Sequence, residues 1–213
     1  KNMFKNVIIS PLSIDTGRID NIIQTLSTES TETIKRNTFR LCYTNSYEKG
    51  LLPIIQYLYP ELKKLQPKIE LHLYGKINNI HPKVKNMINK YIDQSGIIDH
   101  GVCSYETIIK EKQMSSFQLY FSNEEKVDSL SVKESFYCGC IPVLSNKGVF
   151  KNLKGLHFNF NTEQVQSYKN IAGILIELLN DEQKLNKLRV KLFSEKDSIP
   201  TIQDECKIWD SII

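Results

Sequence analysis

Residues 39–75 read FRLCYTNSYEKGLLPIIQYLYPELKKLQPKIELHLYG. Phe39–Tyr43 is a short apolar segment, followed by the polar turn Thr44–Gly50. Leu51, Ile55, Leu58, Leu62 and Leu65 then recur at alternating steps of four and three residues, the spacing of one helical face. Pro53 falls in the first turn, where its missing N–H costs little, and Pro60 falls in the interior, where it predicts a kink. Ile69–Tyr74 is a second apolar segment, ended by Gly75. Strand, helix and strand in so short a span predict a parallel pair joined by a crossover helix.

The same alternation continues downstream. Val84, Ile88, Tyr91 and Ile92 mark a helix, and Gly96–His100 a strand stopped by Gly101. Ser104 is placed to cap the next helix, with Glu106 in its first turn where the dipole favours a carboxylate. Phe117–Phe121 reads as a strand, 131–138 as a helix and Ile141–Leu144 as a strand. Five strands, each separated from the next by a helix, predict an α/β, Rossmann-like parallel sheet with helices on both faces. After Asn161 the pattern is purely helical. Val165, Tyr168, Ala172, Leu175 and Leu179 form one stripe; Leu185, Leu188 and Leu192 a second; Ile202, Cys206, Trp209 and Ile213 a third. Residues 15–38 are polar and read as a loop or a short surface helix.

The chain has 213 residues, 40% hydrophobic and 24% charged, enough for one good-sized soluble domain. Its net charge of +4 is mild, and no basic run alternates with aromatics, so nothing argues for a nucleic-acid partner. No apolar run reaches the roughly 18 residues of a membrane span, though peripheral membrane contact stays open. Lys1–Ser10 does not read as a signal peptide. Five cysteines, an odd number at wide spacing, predict packing thiols in a reducing compartment, the cytoplasm. Cys138-x-Cys140 lacks the second pair that a zinc site needs, so no metal and no cofactor are expected.

In such a sheet, ligands sit on the loops at the carboxyl ends of the strands. Two of these loops suit phosphate. Lys49-Gly50 ends the first at a helix start, where free N–H groups and partial positive charge receive anions. The loop EEKVDSLS, residues 124–131, runs into the helix that carries Glu134. There the backbone of Ser129, Leu130 and Ser131 is a second anion position, and Glu134 is an acceptor for sugar hydroxyls. Plain readings stand beside these: Lys49 as a solvated surface residue, Glu134 as a dipole-stabilising carboxylate. His72, His81 and His157 read as structural, the last two in loops, whereas His100 ends a strand at the ligand edge. Neither a Gly-x-Gly-x-x-Gly fingerprint nor a Walker loop is present.

Taken in order, these segments resemble the C-terminal, nucleotide-sugar-binding domain of GT-B glycosyltransferases of the retaining glycogen-synthase and mannosyltransferase type. CYTNSYEKGLLPIIQYLYPELKKLQPKIELHLYG is similar to that family's strand, Lys-Gly or Arg-Gly loop, long helix and strand ending in Tyr-Gly. IIDHGVCSYETI resembles its Gly-x-Val-Ser turn, FQLYFS its strand ending Tyr-Pro-Ser, and SLSVKESFYCGCIPVLSNKG its Glu-Ala-Met-Ala-x-Gly-x-Pro-Val block. IISPLSID resembles the Pro-Asn-Gly-Ile-Asp segment that leads into the domain. The likeness spans about residues 6–213. It implies three parts: a leading segment and linker over 1–38, the donor-nucleotide domain over 39–200, and a last helix over 201–213 that crosses to a partner domain.

The resemblance implies one half of an enzyme that moves a sugar from a UDP- or GDP-sugar to a hydroxyl, without metal and with retention. Implied donor-site residues are Ser46, Lys49, Gly50, His100, Gly101, Val102, Ser129, Leu130, Ser131 and Glu134, with Lys49 and Glu134 also implied in catalysis. Implied partners are the nucleotide-sugar and an N-terminal Rossmann-like domain that supplies the acceptor site. Two departures stand out. The family's second glutamate, eight residues before Glu134, falls on Lys126 here, with Glu125 one step away. Either a one-residue bulge restores Glu125 as the sugar-facing carboxylate or that carboxylate is missing. The family's arginine upstream of the lysine has no match in YTNS. A catalytically degenerate binding or scaffold module is therefore the rival reading.

Overall fold

The computed structural model describes residues 10, 12–29, 35–76, 81–121, 128–159 and 165–211. Six parallel strands form one sheet: β1 (Asn37–Tyr43), β2 (Glu70–Leu73), β3 (Ile97–Asp99), β4 (Ser115–Tyr120), β5 (Ile141–Ser145) and β6 (Leu156–Phe158), in the order β3-β2-β1-β4-β5-β6. β1 is central: Leu41 pairs with Leu71 on one side and Phe117 on the other. β1–β5 are the strands expected from the sequence. β6 is an addition, and it moves His157 from the expected loop into a strand. Three half-buried residues at a sheet edge carry too little periodicity to be read. β3, at the other edge, leaves Ile98 and Asp99 exposed.

The helix after β1 has three continuous parts: α2 (Leu51–Pro53), a π-helical stretch Ile54–Leu58, and α3 (Tyr59–Leu65). Pro60 cannot supply the N–H that an α-helix would bond to the carbonyl of Gln56. The expected break is absorbed as the wider π turn just before it. Leu51, Ile55, Leu58 and Leu62 are all fully buried, whereas Leu65 is half exposed.

α4 (Pro82–Ile92) packs on the π stretch and β3, and α7 (Val165–Asn180) on the π stretch and α3. The sheet face they share presents Leu41, Tyr43, Leu71, Leu73, Phe117, Leu119 and Val143. Tyr168, Ala172 and Leu175 of α7 close this core. Each buried Leu, Val or Phe side chain of this core contributes about 1.5–3 kcal/mol.

The other face carries Arg40, Cys42, His72 and Gln118, since alternate strand residues point to opposite faces. α5 (Tyr105–Met114) packs on β1 and β4 there, with α6 (Leu130–Tyr137) on β5. Ser104 caps α5 as expected, accepting from the Thr107 N–H at 3.2 Å.

α1 (Thr16–Glu29) lies against α5, so most of the 15–38 segment is a true helix with Ile19 fully buried. Ile14, Ile19, Ile109, Phe136, Cys138 and Ile199 make a second, smaller core. Ile14 and Thr201 form a parallel bridge beside it, with the Ile14 N–H bonded to the Pro200 carbonyl at 3.1 Å.

α8 (Glu182–Phe193) follows α7, and α9 (Ile202–Asp210) ends the described chain. α9 has a capping box between Thr201 and Asp204 but buries none of its residues, and Trp209 is 54% exposed. Ile213, the last residue of its stripe, lies outside the described residues. Cys42, Cys138 and Cys140 are buried thiols, with Cys42 Sγ 3.9 Å from Cys140 Sγ. Cys103 is half-buried and Cys206 exposed, so packing accounts for only three of the five.

Candidate functional site

The carboxyl edge of the sheet is knitted into one surface. Tyr43, at the end of β1, donates its hydroxyl to the carbonyls of Ser46 and Lys49 at 2.8 and 2.9 Å and so fixes the loop between them. Gly50 closes this loop in a left-handed conformation, φ 97°, where a side chain would be strained. Tyr47 is buried, and its hydroxyl bonds to Asp99 at the end of β3. The Gly75 N–H donates to the Gly101 carbonyl at 2.8 Å, which ties the loop after β2 to the loop after β3. Gly75 is required by close approach: a Cβ there would lie 2.3 Å from the Asn45 carbonyl oxygen.

Lys49 is half-buried at the start of the 51–65 helix and forms no ion pair among the described residues. His100, Gly101 and Val102 follow β3. Val102 is 71% exposed, and Gly101 takes φ 65° with open space on its Cβ side. His100 is exposed, stacks on Tyr74 at 4.5 Å with 6° between the rings, and meets His72 Nδ1 through Nε2 at 3.0 Å. Behind it lies a buried polar cluster. Glu111 accepts from the Tyr74 hydroxyl at 2.8 Å and from Ser115 Oγ at 2.6 Å, and pairs with Arg40 at 3.5 Å. Burial, more than any neighbour, holds the His72 pKa below the ordinary imidazole value.

The third part of the surface is the start of α6. The Ser129 N–H is taken by Asp128 Oδ1 at 2.7 Å, which leaves Leu130 and Ser131 as the helix-start amides. Thr44 Oγ1 lies 2.8 Å from Ser131 Oγ, so the loop after β1 touches this helix directly. Gln118 Nε2 donates to both hydroxyls at 2.9 Å. Its Oε1 is buried and has no partner among the described residues. An orphaned buried acceptor costs about 1–3 kcal/mol, and the cluster tolerates it.

Glu134 does not act as a dipole partner in the first turn. α6 starts at Leu130, so Glu134 stands one turn in and is held by an ion pair instead. Its Oε2 accepts from Lys112 Nζ at 2.6 Å and its Oε1 from the Tyr105 hydroxyl at 3.2 Å. Lys112 is fully buried and also donates to the Ser131 carbonyl at 3.0 Å. Burial and the nearby Glu134 carboxylate push the Tyr105 phenol well above its ordinary pKa.

The structure therefore brings Ser46, Lys49 and Gly50, then His100, Gly101 and Val102, then Leu130, Ser131 and Glu134 to one edge. Ser129 lies there with its amide engaged, and Glu125 and Lys126 lie outside the described residues. Sequence reasoning missed Thr44, Tyr105, Lys112 and Gln118. One signal existed: Tyr105, Ile109 and Lys112 follow an i, i+4, i+7 spacing, which puts a lysine on the inward face of α5. A separate cavity of about 250 Å³, lined in part by Asp128, Val132, Lys133, Val149 and Ile199, lies beside α6. Its Lys133 is already engaged by Asp128 and the Leu12 carbonyl. Among the described residues no group of three or more His, Cys, Asp or Glu is arranged to hold a metal ion, and no helix is long and apolar enough to cross a membrane.

No protein-family profile matches the chain, and no curated protein matches it in sequence. Solved structures do share its fold. Anabaena Alr3699/HepE, solved with UDP-glucose, superposes with a TM-score of 0.67 at 13% identity, over 97% of this chain and 57% of that one. The pneumococcal O-GlcNAc transferase GtfA, solved with UDP and GlcNAc, gives 0.64 at 14% identity, over 94% of this chain and 44% of that one. A glycosyltransferase from Rickettsia africae gives 0.66 at 15% identity, over 97% and 56%. The chain is thus similar in fold to part of each of these proteins and spans about half of their length.

Proposed function

We propose that the chain is the C-terminal, donor-binding half of a GT-B glycosyltransferase of the retaining glycogen-synthase and mannosyltransferase type. Its reaction is transfer of a sugar from a nucleotide-diphosphate sugar to a hydroxyl acceptor, without metal. A UDP-sugar is favoured over a GDP-sugar, because fold neighbours were solved with UDP. The observation that carries the reading is Lys49, a half-buried cation without an ion pair among the described residues, on an edge where three loops converge. It offsets diphosphate charge as the leaving group departs, a fixed electrostatic role.

The Gly101–Val102 turn, with Val102 exposed, meets the base, and the Leu130 and Ser131 amides meet the second phosphate. Glu134 orients the ribose: Lys112 and Tyr105 fix its carboxylate, and each oxygen keeps a lone pair for a ribose hydroxyl. The acceptor site belongs to a partner domain, toward which α9 presents its uncovered apolar side. The three buried, free cysteines suit a reducing compartment such as the cytoplasm.

The rival reading, a degenerate module that binds without transferring, is favoured by Lys126 at the family's glutamate position and by the prior engagement of Glu134. A thermal-shift screen of UDP, GDP, ADP and their sugars tests the proposal. A specific ligand at ten to a hundred times its Kd stabilises the fold by about 1.4–2.7 kcal/mol. No shift with any nucleotide overturns donor binding. Binding of UDP with no response to the sugar of any UDP-sugar favours the degenerate module.

A further inference from the structure

We propose that Thr44 is a donor-only hydroxyl of the phosphate subsite, set in that state by the buried cluster of Lys112, Ser131 and Gln118. The assignment rests on the donor-binding reading and names the group that meets the terminal phosphate of a nucleoside diphosphate alongside Lys49. It follows from where each hydrogen goes.

Ser131 Oγ receives Gln118 Nε2 at 2.9 Å and Lys112 Nζ at 3.5 Å. A serine hydroxyl has two lone pairs and one hydrogen. Both lone pairs are filled, so the contact of 2.8 Å to Thr44 Oγ1 must use the serine hydrogen. Thr44 Oγ1 then accepts from Ser131 and from Gln118 at 2.9 Å, and its own lone pairs are filled in turn. Its hydrogen is the one donor of the cluster left over. No acceptor among the described residues takes it.

Chemistry follows from this state. A hydroxyl with both lone pairs engaged cannot receive a bond from an ammonium or a sugar hydroxyl, but it gives one to an acceptor. Phosphoryl oxygen is acceptor-only at neutral pH, and its charge strengthens the bond. Thr44 is the first residue after the central strand, on the same loop as Lys49 and in contact with the first turn of α6. Those are the two anion positions of the site: Thr44 shares a loop with the first and touches the second. Lys112 touches no ligand in this scheme. It is a positioning residue: its proton donation fills the serine lone pair and turns the serine hydrogen toward Thr44.

The test is calorimetric titration of the chain with UDP and with uridine, and with GDP and guanosine. Thr44→Val keeps the shape and removes the donor, so affinity for the diphosphate falls about tenfold while the nucleoside is unaffected. Thr44→Ser keeps the donor and retains diphosphate binding. Thr44→Ala carries the same expectation as Thr44→Val and covers the case in which the valine variant does not fold. Lys112→Met lowers diphosphate affinity by more than it lowers nucleoside affinity, because it undoes the orientation of the serine hydroxyl as well as the hold on the Glu134 carboxylate, a split that a loss of packing does not produce. Diphosphate binding by Thr44→Val or Thr44→Ala equal to that of the unaltered chain overturns the assignment alone. So does an equal loss of diphosphate and nucleoside. Absence of nucleotide binding by the unaltered chain overturns the donor-binding reading, and this assignment with it.

Discussion

The ammonium of Lys112, fully shielded from solvent, lies 2.6 Å from the Glu134 carboxylate, which is itself only 15% exposed. Two helices are pinned together by this pair, α5 through Lys112 and α6 through Glu134. Buried charges of this kind are costly to separate, because the survivor keeps its desolvation penalty and loses its partner.

Removing one partner is therefore expected to destabilise the fold by about 3–5 kcal/mol in Lys112→Met or Glu134→Ala, less in Glu134→Gln, which keeps an acceptor. The double variant Lys112→Met/Glu134→Ala should lose much less than the sum of its two single changes. Urea denaturation of the unaltered chain and these four variants measures this. Additive losses would show that the pair is not coupled.

Lys49→Ala makes the opposite case. With no ion pair to break among the described residues, unfolding midpoints should barely move. Binding of UDP should weaken about tenfold or more, and uridine should bind as before, since a charge-assisted hydrogen bond is worth roughly 1.5–3 kcal/mol. Equal losses for UDP and uridine would remove Lys49 from the phosphate site.

His72 predicts a pH dependence. Burial lowers its pKa in the native state, opposed by the Glu111 charge and a hydrogen bond to Glu70 and assisted by Arg40 and His100. The unfolded chain then takes up a proton at higher pH than the folded one, so stability is lost on acidification below about pH 6.5 until the folded pKa is passed. For one proton the slope reaches at most about 1.4 kcal/mol per pH unit. Chemical denaturation across pH 5–7.5 should show a shallower slope in His72→Gln than in the unaltered chain. Identical slopes would mean that His72 titrates alike in both states.

α9 predicts association. Trp209 is 54% exposed and Ile202 41%, on a helix that buries none of its residues. Uncovered apolar surface favours self-contact. Sedimentation should find concentration-dependent dimers, reduced in Trp209→Ser. A strictly monomeric chain at high concentration would argue against an interaction face.

The first five strands and the helices between them were legible because a helix or strand that packs on a core repeats its apolar residues at a fixed period. Leu51, Ile55, Leu58 and Leu62 show this directly. Ser104 was legible for a local reason, a side chain that caps its own helix. The rest depends on distant partners. Lys112 and Glu111 occupy buried positions on α5 with charged side chains; the spacing from Tyr105 and Ile109 hints at the lysine's face, but nothing in the sequence marks Glu111 or the partners of either. Thr44 gains its role from Ser131 and Gln118, which lie 87 and 74 positions away. No pattern within the loop 44–50 encodes those contacts.

The bridge between Ile14 and Thr201 joins residues 187 positions apart (201 − 14). Loop-closure entropy is paid before so remote a contact returns anything, so pairing of this kind belongs to the end of the folding reaction. β1, β2 and the helix between them assemble from near neighbours and have no such wait. The tie is also short, a single bridge flanked by two backbone hydrogen bonds. A late and lightly held closure is an early one to open in native-state fluctuations. Amide hydrogens of Ile14 and Ile202 should therefore exchange with solvent faster than those of Leu41 and Leu71, and the molecule should breathe early where Ile14 meets Thr201.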